Sequence, residues 1–346
     1  MTIGGGASFS TVVVVLPMVH PIGEATLRER CRAVKLVSDQ HDEIASVIGE
    51  ANALIARGPA FISDELLARG RELRVLSASG AGYDCIDIDA ASRRGLPVLY
   101  APGIGAPAVA EWVLGALVVA GRRFPVVDHE VRNSDFAWSR RTTDMQGVEL
   151  RGKILGLIGL GNIGRRVARL AELAFEMQVI AYDPAVAAPL GGLPSVRLLG
   201  SVNEVLQTAD FISVHVPLIP STRGLIGIAE LARIKAGASL INAARGGIVD
   251  EAAVADALRS GRLRFAAFDV FAGEPKMFES PLADAPNCMM SPHVAGLTDR
   301  AMEDLAREVA EGVVSALDGR IDPGRVANPG VLSVGQPAQA TRRMLP

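Results

Sequence analysis

The chain has 346 residues, is 49% hydrophobic and carries a formal net charge of −3. That length is ample for a large core and suggests two domains, and a balance so near neutral gives no electrostatic case for nucleic acid or an anionic membrane surface as partner. Three cysteines, Cys31, Cys85 and Cys288, are far apart and odd in number, so they read as neither a disulfide framework nor a metal knuckle, and a reducing, cytoplasmic setting without a metal is expected.

The N-terminal stretch MTIGGGASFSTVVVVLPM has an apolar run of only about seven residues and no basic leader. It is too short to span a bilayer and reads as a ragged start followed by a buried strand. Further strands are expected at ANALIAR, RVLSAS and PVLYAP, with amphipathic stretches such as SDELLARG between them. After APGIGAP comes a long apolar helix, AVAEWVLGALVVAGRR, and then a polar connection, DHEVRNSDFAWSRRTTDMQ. A cleaner alternation follows, with six strands at KILGLIGL, QVIAYD, FISVHV, ASLINA, RFAAFDV and NCMMSP. Six matches the count of a doubly wound dinucleotide-binding domain. In AMEDLAREVAEGVVSALDG, Met302, Leu305, Val309, Val313 and Leu317 recur at helical spacing, and this helix is expected to cross back to the first domain. The last stretch, SVGQPAQATRRMLP, reads as a loose tail. Strands and helices that alternate in this way predict an α/β fold of parallel sheets with helices on their faces.

GLIGLGNIGRRVARL sets Gly159, Gly161 and Gly164 in GxGxxG spacing. Alone the pattern is weak, and a structural glycine turn is the competing reading. The context strengthens it: an apolar strand precedes it, a helical pattern with Val167, Leu170 and Ala171 follows, and QVIAYDP brings an acid 19 residues beyond Gly164. Each glycine has its own reason, namely a tight turn, close approach of a pyrophosphate, and close packing of helix on strand. The helix N-terminus offers N–H groups to phosphates. Asp183 would accept hydrogen bonds from ribose hydroxyls and repel a 2′-phosphate, which favours NAD over NADP.

Ligands of an open α/β sheet bind beyond the carboxyl ends of its strands. At those ends stand Arg245 after ASLINA, Asp269 closing RFAAFDV with Glu274 five residues on, and His293 after NCMMSP. Hydride transfer to a carbonyl also needs a proton, and the reverse reaction needs a base. Histidine suits both because it titrates near neutrality. A carboxylate such as Glu274 on its far ring nitrogen would favour the imidazolium, and Arg245 offers a planar fork for a carboxylate or a developing oxyanion. The set suits a 2-keto or 2-hydroxy acid. Taken singly, each residue also has a bland reading, since a histidine after a strand is more often structural and an acid in a loop is usually just solvated.

From about residue 45 to about 330 the chain resembles the D-isomer-specific 2-hydroxyacid dehydrogenase family. The resemblance lies in GAGYDCIDIDAASRRGLPVLYAPG, the glycine loop, HVPLIPSTRGLIG, LINAARGGIVDEAAVADALRSGRL, AAFDVFAGEP and SPHVAGLT. It implies that Arg245 binds substrate, that His293 is the acid/base with Glu274 as its partner, and that Asp269 contacts the nicotinamide side of the cofactor. Asn162, Ile163, Val216, Pro217, Thr222, Ala243, Ala244 and Gly296 complete the implied NAD site, with Arg245 and His293 also in reach of it. It implies a discontinuous flavodoxin-like substrate domain, residues 1–105 plus 300–332, a Rossmann cofactor domain inserted at 106–299, and a tail at 333–346. Closure of the two domains would keep water from the hydride. The backbone N–H groups of Ala81 and Gly82 would hold the substrate carboxylate, Arg57 could face a second anionic group, and relatives are commonly homodimers built through the cofactor domain.

The chain departs from the pattern at Cys85, Tyr100 and near Gly105, where asparagine is frequent in the family. Those positions bear on substrate choice more than on chemistry. Glu176 stands where relatives tend to place a helix-ending glycine, and the segment from Gly164 to Asp183 reads as carrying one extra residue. Glu274 sets the chain apart from formate dehydrogenases, which pair the histidine with glutamine, and Ala81 from phosphite dehydrogenases, which have lysine there. The chain is also short for the long phosphoglycerate dehydrogenases. The expected function is reversible, NAD-dependent reduction of a small 2-keto acid to the D-2-hydroxy acid. The alternative is an NAD(H)-sensing binding protein of the corepressor type with little turnover.

Overall fold

The computed structural model describes residues 6–133, 146–187, 193, 195–274 and 279–333. The chain divides into two compact units, one formed by the residues up to Gly105 together with those from Thr298 onward, the other by Ala106–Leu297. The expected tail beyond residue 333 and the middle of the polar connection lie outside the described residues.

In the first unit, β1 (Thr11–Val15), β2 (Ala33–Val37), β3 (Ala53–Ala56), β4 (Val75–Ala78) and β5 (Val98–Leu99) form a parallel sheet in the order β2-β1-β3-β4-β5. This is the flavodoxin-like order. The valine run of β1 is buried throughout because both faces are covered. Val13 and Val15 join one apolar cluster, while Val12 and Val14 join the other. The second cluster is closed by the helix Asp299–Leu317 through Ala306, Val309, Val313 and Leu317. Thr298 caps that helix, its hydroxyl accepting the Ala301 N–H at 3.3 Å.

β2 is absent from the strands expected above. It is the edge strand, half-exposed along most of its length, and Lys35 interrupts its apolar run. An edge strand buries too little to show the continuous apolar signature of its neighbours.

In the second unit, β6 (Ile154–Ile158), β7 (Gln178–Tyr182), β8 (Arg197–Leu198), β9 (Phe211–Val214), β10 (Ala238–Asn242), β11 (Leu263–Phe268) and β12 (Cys288–Met290) make a parallel sheet ordered β12-β11-β10-β9-β6-β7-β8. Seven strands replace the six expected. The extra one, β8, has two residues and pairs with β7, too short for any periodicity to register. Along β6 alternate residues serve opposite faces: Leu155 and Leu157 pack with the helices Ala106–Arg122 and Asn162–Phe175, and Ile158 packs with the cluster containing Val205 and Val254. β11 repeats this, with Phe265 and Ala267 on one face and Ala266 and Phe268 on the other.

The chain leaves β6 toward β7 and β8, then returns to β9 on the other side of β6. The switch point therefore falls between β6 and β9, where open α/β sheets bind their ligands. No helix among the described residues is long and apolar enough to cross a membrane.

Candidate active site

All seven strands of the second sheet are parallel, so the segments that follow them emerge at one rim. That rim carries the glycine loop after β6, Asp183 after β7, Val216, Pro217 and Thr222 after β9, Ala243 to Arg245 after β10, Asp269 and Glu274 after β11, and His293 and Gly296 after β12.

The three glycines separate by what a side chain would meet. Gly159 has φ +99°, and a Cβ there would lie 2.5 Å from the carbonyl oxygen of His215. A Cβ on Gly164 would lie 2.3 Å from the Gly159 carbonyl oxygen. Both are demanded by folding. Gly161 has open space around its Cβ position and begins the helix Asn162–Phe175 without a side-chain cap. Its surroundings leave room for a pyrophosphate at a helix N-terminus, which is the fit expected of a dinucleotide. Asp183 stands beside this loop. Its Oδ2 accepts the Leu160 N–H at 2.8 Å and its Oδ1 the Ala185 N–H at 2.9 Å. Each carboxylate oxygen retains a lone pair for a ribose hydroxyl. Thr222 folds the segment after β9, accepting from Ile219 N–H at 2.9 Å and donating to the Pro217 carbonyl at 2.5 Å.

Glu176, the C-cap of the same helix, is left-handed (φ 51°, ψ 36°), the conformation a glycine takes at no steric cost. A non-glycine residue there costs about 1 kcal/mol, offset in part by the exposed pair with Arg151 at 3.1 Å.

Three ionisable side chains, Arg245, Glu274 and His293, stand at the other end of the rim. The Nδ1–H of His293 donates to Oε2 of Glu274 at 2.7 Å, which directs the second ring nitrogen, Nε2, away from this bond. The imidazole is half-exposed. Glu274 is pushed up by burial, but the bonds from His293 and the Phe271 N–H, with the charges of His293 and Arg245, outweigh this and hold its carboxyl below the usual range. Arg245 is set by its own turn: its Nη1 donates to the Ala244 carbonyl at 2.7 Å. Buried Asn242 ties that turn from both sides, donating to the Arg245 carbonyl at 3.2 Å and accepting from Ala244 N–H at 3.1 Å.

His293 has φ 56°, unusual for a residue with a side chain. Asp269 explains how that backbone is held. Its carbonyl accepts the His293 N–H at 2.7 Å. Its carboxylate accepts from Ser291 Oγ at 2.5 Å and from the N–H groups of Val294 and Ala295 at 2.8 Å each. The side chain is buried. Asp269 therefore holds the corner that carries His293.

Sequence reasoning missed Asn242, Ser291 and Gly246. Asn242 left a signal, as a polar residue inside an apolar strand buried on both faces. His215, also missed, closes the switch point. Its N–H donates to Ile158 at 2.7 Å, and both ring nitrogens are buried without a partner among the described residues, although part of the residue is exposed. Burial pushes its pKa down to about 4.

The remaining expected residues belong to the first unit. Arg57 follows β3, its Nε donating to the Pro17 carbonyl at 3.2 Å. Ala81 is exposed and Gly82 half-buried in the turn after β4, which is fastened by the Ala101 N–H to the Gly80 carbonyl at 2.9 Å. Next to this turn, Tyr100 meets Tyr83 edge-to-face with ring centroids 5.4 Å apart. The half-buried Cys85 thiol points to the Ala56 carbonyl at 3.6 Å and is pushed up to about 11 by burial. Gly105 has open space about its Cβ position.

Residues 114–295 match the model of the family described as D-isomer specific 2-hydroxyacid dehydrogenase, NAD binding domain. The chain is 38% identical over 315 residues to the D-3-phosphoglycerate dehydrogenase of Mycobacterium tuberculosis, covering 91% of this chain and 58% of that one. It is 35% identical over 286 residues to the hydroxypyruvate reductase of Thermotoga maritima, covering 81% of this chain and 90% of that one. Among solved structures, the TT0316 protein of Thermus thermophilus superposes with a TM-score of 0.80 at 32% identity, over 92% of this chain and 99% of that one. The chain thus spans well under two thirds of the mycobacterial relative. Relatives with these names do not favour the corepressor alternative.

Proposed function

Because the chain belongs to the D-isomer-specific 2-hydroxyacid dehydrogenases, we propose that it interconverts a small 2-keto acid and the D-2-hydroxy acid with NAD as redox partner. The observation that carries this reading is the 2.7 Å bond between His293 and Glu274 at the rim that also presents Arg245 and the glycine loop. NAD, when bound by the glycine loop and Asp183, supplies or accepts the hydride. Arg245 binds the substrate carboxylate or carbonyl oxygen and stabilises negative charge developing there. In reduction, the His293 imidazolium gives its Nε2 proton to the carbonyl oxygen; in oxidation, the neutral ring takes it from the hydroxyl. Glu274 holds the ring by Nδ1 and so orients Nε2 for the proton transfer. Ala81, Gly82 and Arg57 are the further substrate-binding residues of this reading.

Phosphohydroxypyruvate and hydroxypyruvate head the substrate candidates, since the named relatives act in that class. The homodimer belongs to the same reading. The helix Phe124–Asn133 in the cofactor unit has no buried residue and leaves Phe124 and Val131 exposed, a face that a second copy would cover.

The decisive test follows NADH consumption by purified protein against glyoxylate, hydroxypyruvate, phosphohydroxypyruvate, pyruvate and bulky aromatic or branched 2-keto acids, with NADPH in parallel. Turnover of one or a few is expected. Silence across the panel, with NADH binding demonstrated, overturns the proposal.

A further inference from the structure

We infer that Glu251 is a positioning residue for the His293–Glu274 pair, holding in place the loop on which Glu274 stands; the inference rests on the dehydrogenase reading above. Glu251 opens the helix Glu251–Arg259, yet capping does not require it. Oδ1 of Asp250 already accepts the N–H groups of Ala252 and Ala253 at 3.0 and 3.1 Å. A carboxylate at a helix start is ordinarily exposed, but Glu251 is only 8% exposed, and such burial is costly unless the charge is well bonded.

Its two oxygens have partners, and both lie in the segment after β11. Oε1 accepts the Ala272 N–H at 2.6 Å, and Oε2 accepts from the Ser280 hydroxyl. Ala272 and Ser280 fall on either side of Glu274 in sequence, so one carboxylate tethers both flanks of the residue that pairs with His293. Gly246, next to Arg245, packs against the same peptide. A Cβ there would lie 2.0 Å from the Phe271 carbonyl oxygen and 2.6 Å from the Ala272 nitrogen.

The Phe271–Ala272 peptide therefore has the Arg245 turn packed on it and the Glu251 carboxylate bonded to it. Its neighbour in the chain of bonds is Glu274, whose Oε1 accepts the Phe271 N–H and whose Oε2 accepts from His293 at 2.7 Å. Glu251 bonds to none of Arg245, Glu274 and His293. It acts on the proton donor through the backbone that fixes Glu274, and misplacing such a partner by about 1 Å is costly to rate.

The test compares Glu251→Ala, Glu251→Gln and Ser280→Ala with the wild-type chain, using NADH and the best 2-keto acid of the panel. Glu251→Ala is expected to lower kcat by roughly 10-fold to 100-fold with NADH affinity unchanged. It should also move the alkaline limb of kcat/KM to lower pH, because reduction needs the protonated ring and a displaced Glu274 stabilises that form less. Glu251→Gln, whose amide oxygen still accepts from Ala272, should restore most of the rate and the limb. Ser280→Ala should shift the limb in the same direction by less. A folded Glu251→Ala with wild-type kcat, or with lowered kcat and an unmoved limb, overturns the inference. If Glu251→Ala does not fold, an unmoved limb in Ser280→Ala overturns it. A wild-type chain that turns over no 2-keto acid sinks the dehydrogenase reading first, before any variant is compared, and this inference with it.

Discussion

The carbonyl oxygen of Gly159 lies where a side chain on Gly164 would begin, 2.3 Å from the Cβ position, whereas Gly161 between them has no neighbour within 4 Å of its own. Folding and binding therefore make different demands inside one six-residue loop. Gly164→Ala should destabilise the chain by about 1–3 kcal/mol, read as a lowered urea midpoint. Gly161→Ala should keep a wild-type midpoint and bind NADH at least about 10-fold more weakly, because a methyl group occupies the approach of the pyrophosphate. A fluorescence titration with unchanged NADH affinity in Gly161→Ala would place the phosphates elsewhere.

His293 reaches Glu274 through Nδ1, which leaves Nε2 for substrate. His293→Ala should lower turnover by roughly 10²-fold or more. Glu274→Gln keeps the shape and removes the charge, so it should lower turnover and shift the alkaline limb of kcat/KM to lower pH. For folding, the sign is fixed by the lowered Glu274 carboxyl: its contribution is full above the ordinary carboxylate range and is lost as pH falls through the lowered value. Steady-state kinetics between acidic and alkaline pH check the catalytic part, and near-normal turnover in His293→Ala would remove the histidine from the reaction.

Asp183 does two jobs at once, fastening Leu160 of the glycine loop and presenting a negative charge beside it. Asp183→Ala should therefore weaken NADH use and, by removing the repulsion of a 2′-phosphate, move the NADH:NADPH ratio of kcat/KM toward NADPH. An unchanged ratio would assign cofactor choice to other residues.

His215 places a neutral, buried imidazole beside the glycine loop, its pKa pushed down to about 4 by burial. A histidine depressed in this way adds stability that is complete above its unfolded pKa of about 6.5 and disappears as pH falls toward the folded value. The loss between neutrality and about pH 4 is on the order of 3 kcal/mol. His215→Leu should flatten the pH dependence of the urea midpoint across that window. A variant as acid-sensitive as wild type would trace the acid loss to another group.

Much of this molecule can be read locally. The strands buried on both faces announce themselves as apolar runs, as in TVVVV and FAAF, because a covered parallel sheet leaves no polar face to interrupt them. The glycine loop is legible because backbone geometry at Gly159 and Gly164 excludes side chains, and Arg245, Glu274 and His293 because each lies in a segment that follows a strand of the second sheet. Edge strands escaped for the converse reason. β2 is half-exposed and β8 has two residues, and neither buries enough to leave a period.

The pairing of polar groups was decided by tertiary structure alone. Sequence spacing names Glu274 and His293 as candidates but does not bring them within 2.7 Å; the neighbouring places of β11 and β12 at one edge of the sheet do. The same holds for Asp269, which accepts four hydrogen bonds from the corner after β12, and for Glu251, whose partners lie 21 and 29 residues away. Apolar burial is a property of each strand and survives in its composition. A hydrogen bond needs two groups within about 3 Å of each other, and only the order of strands in the folded sheet sets which groups those are.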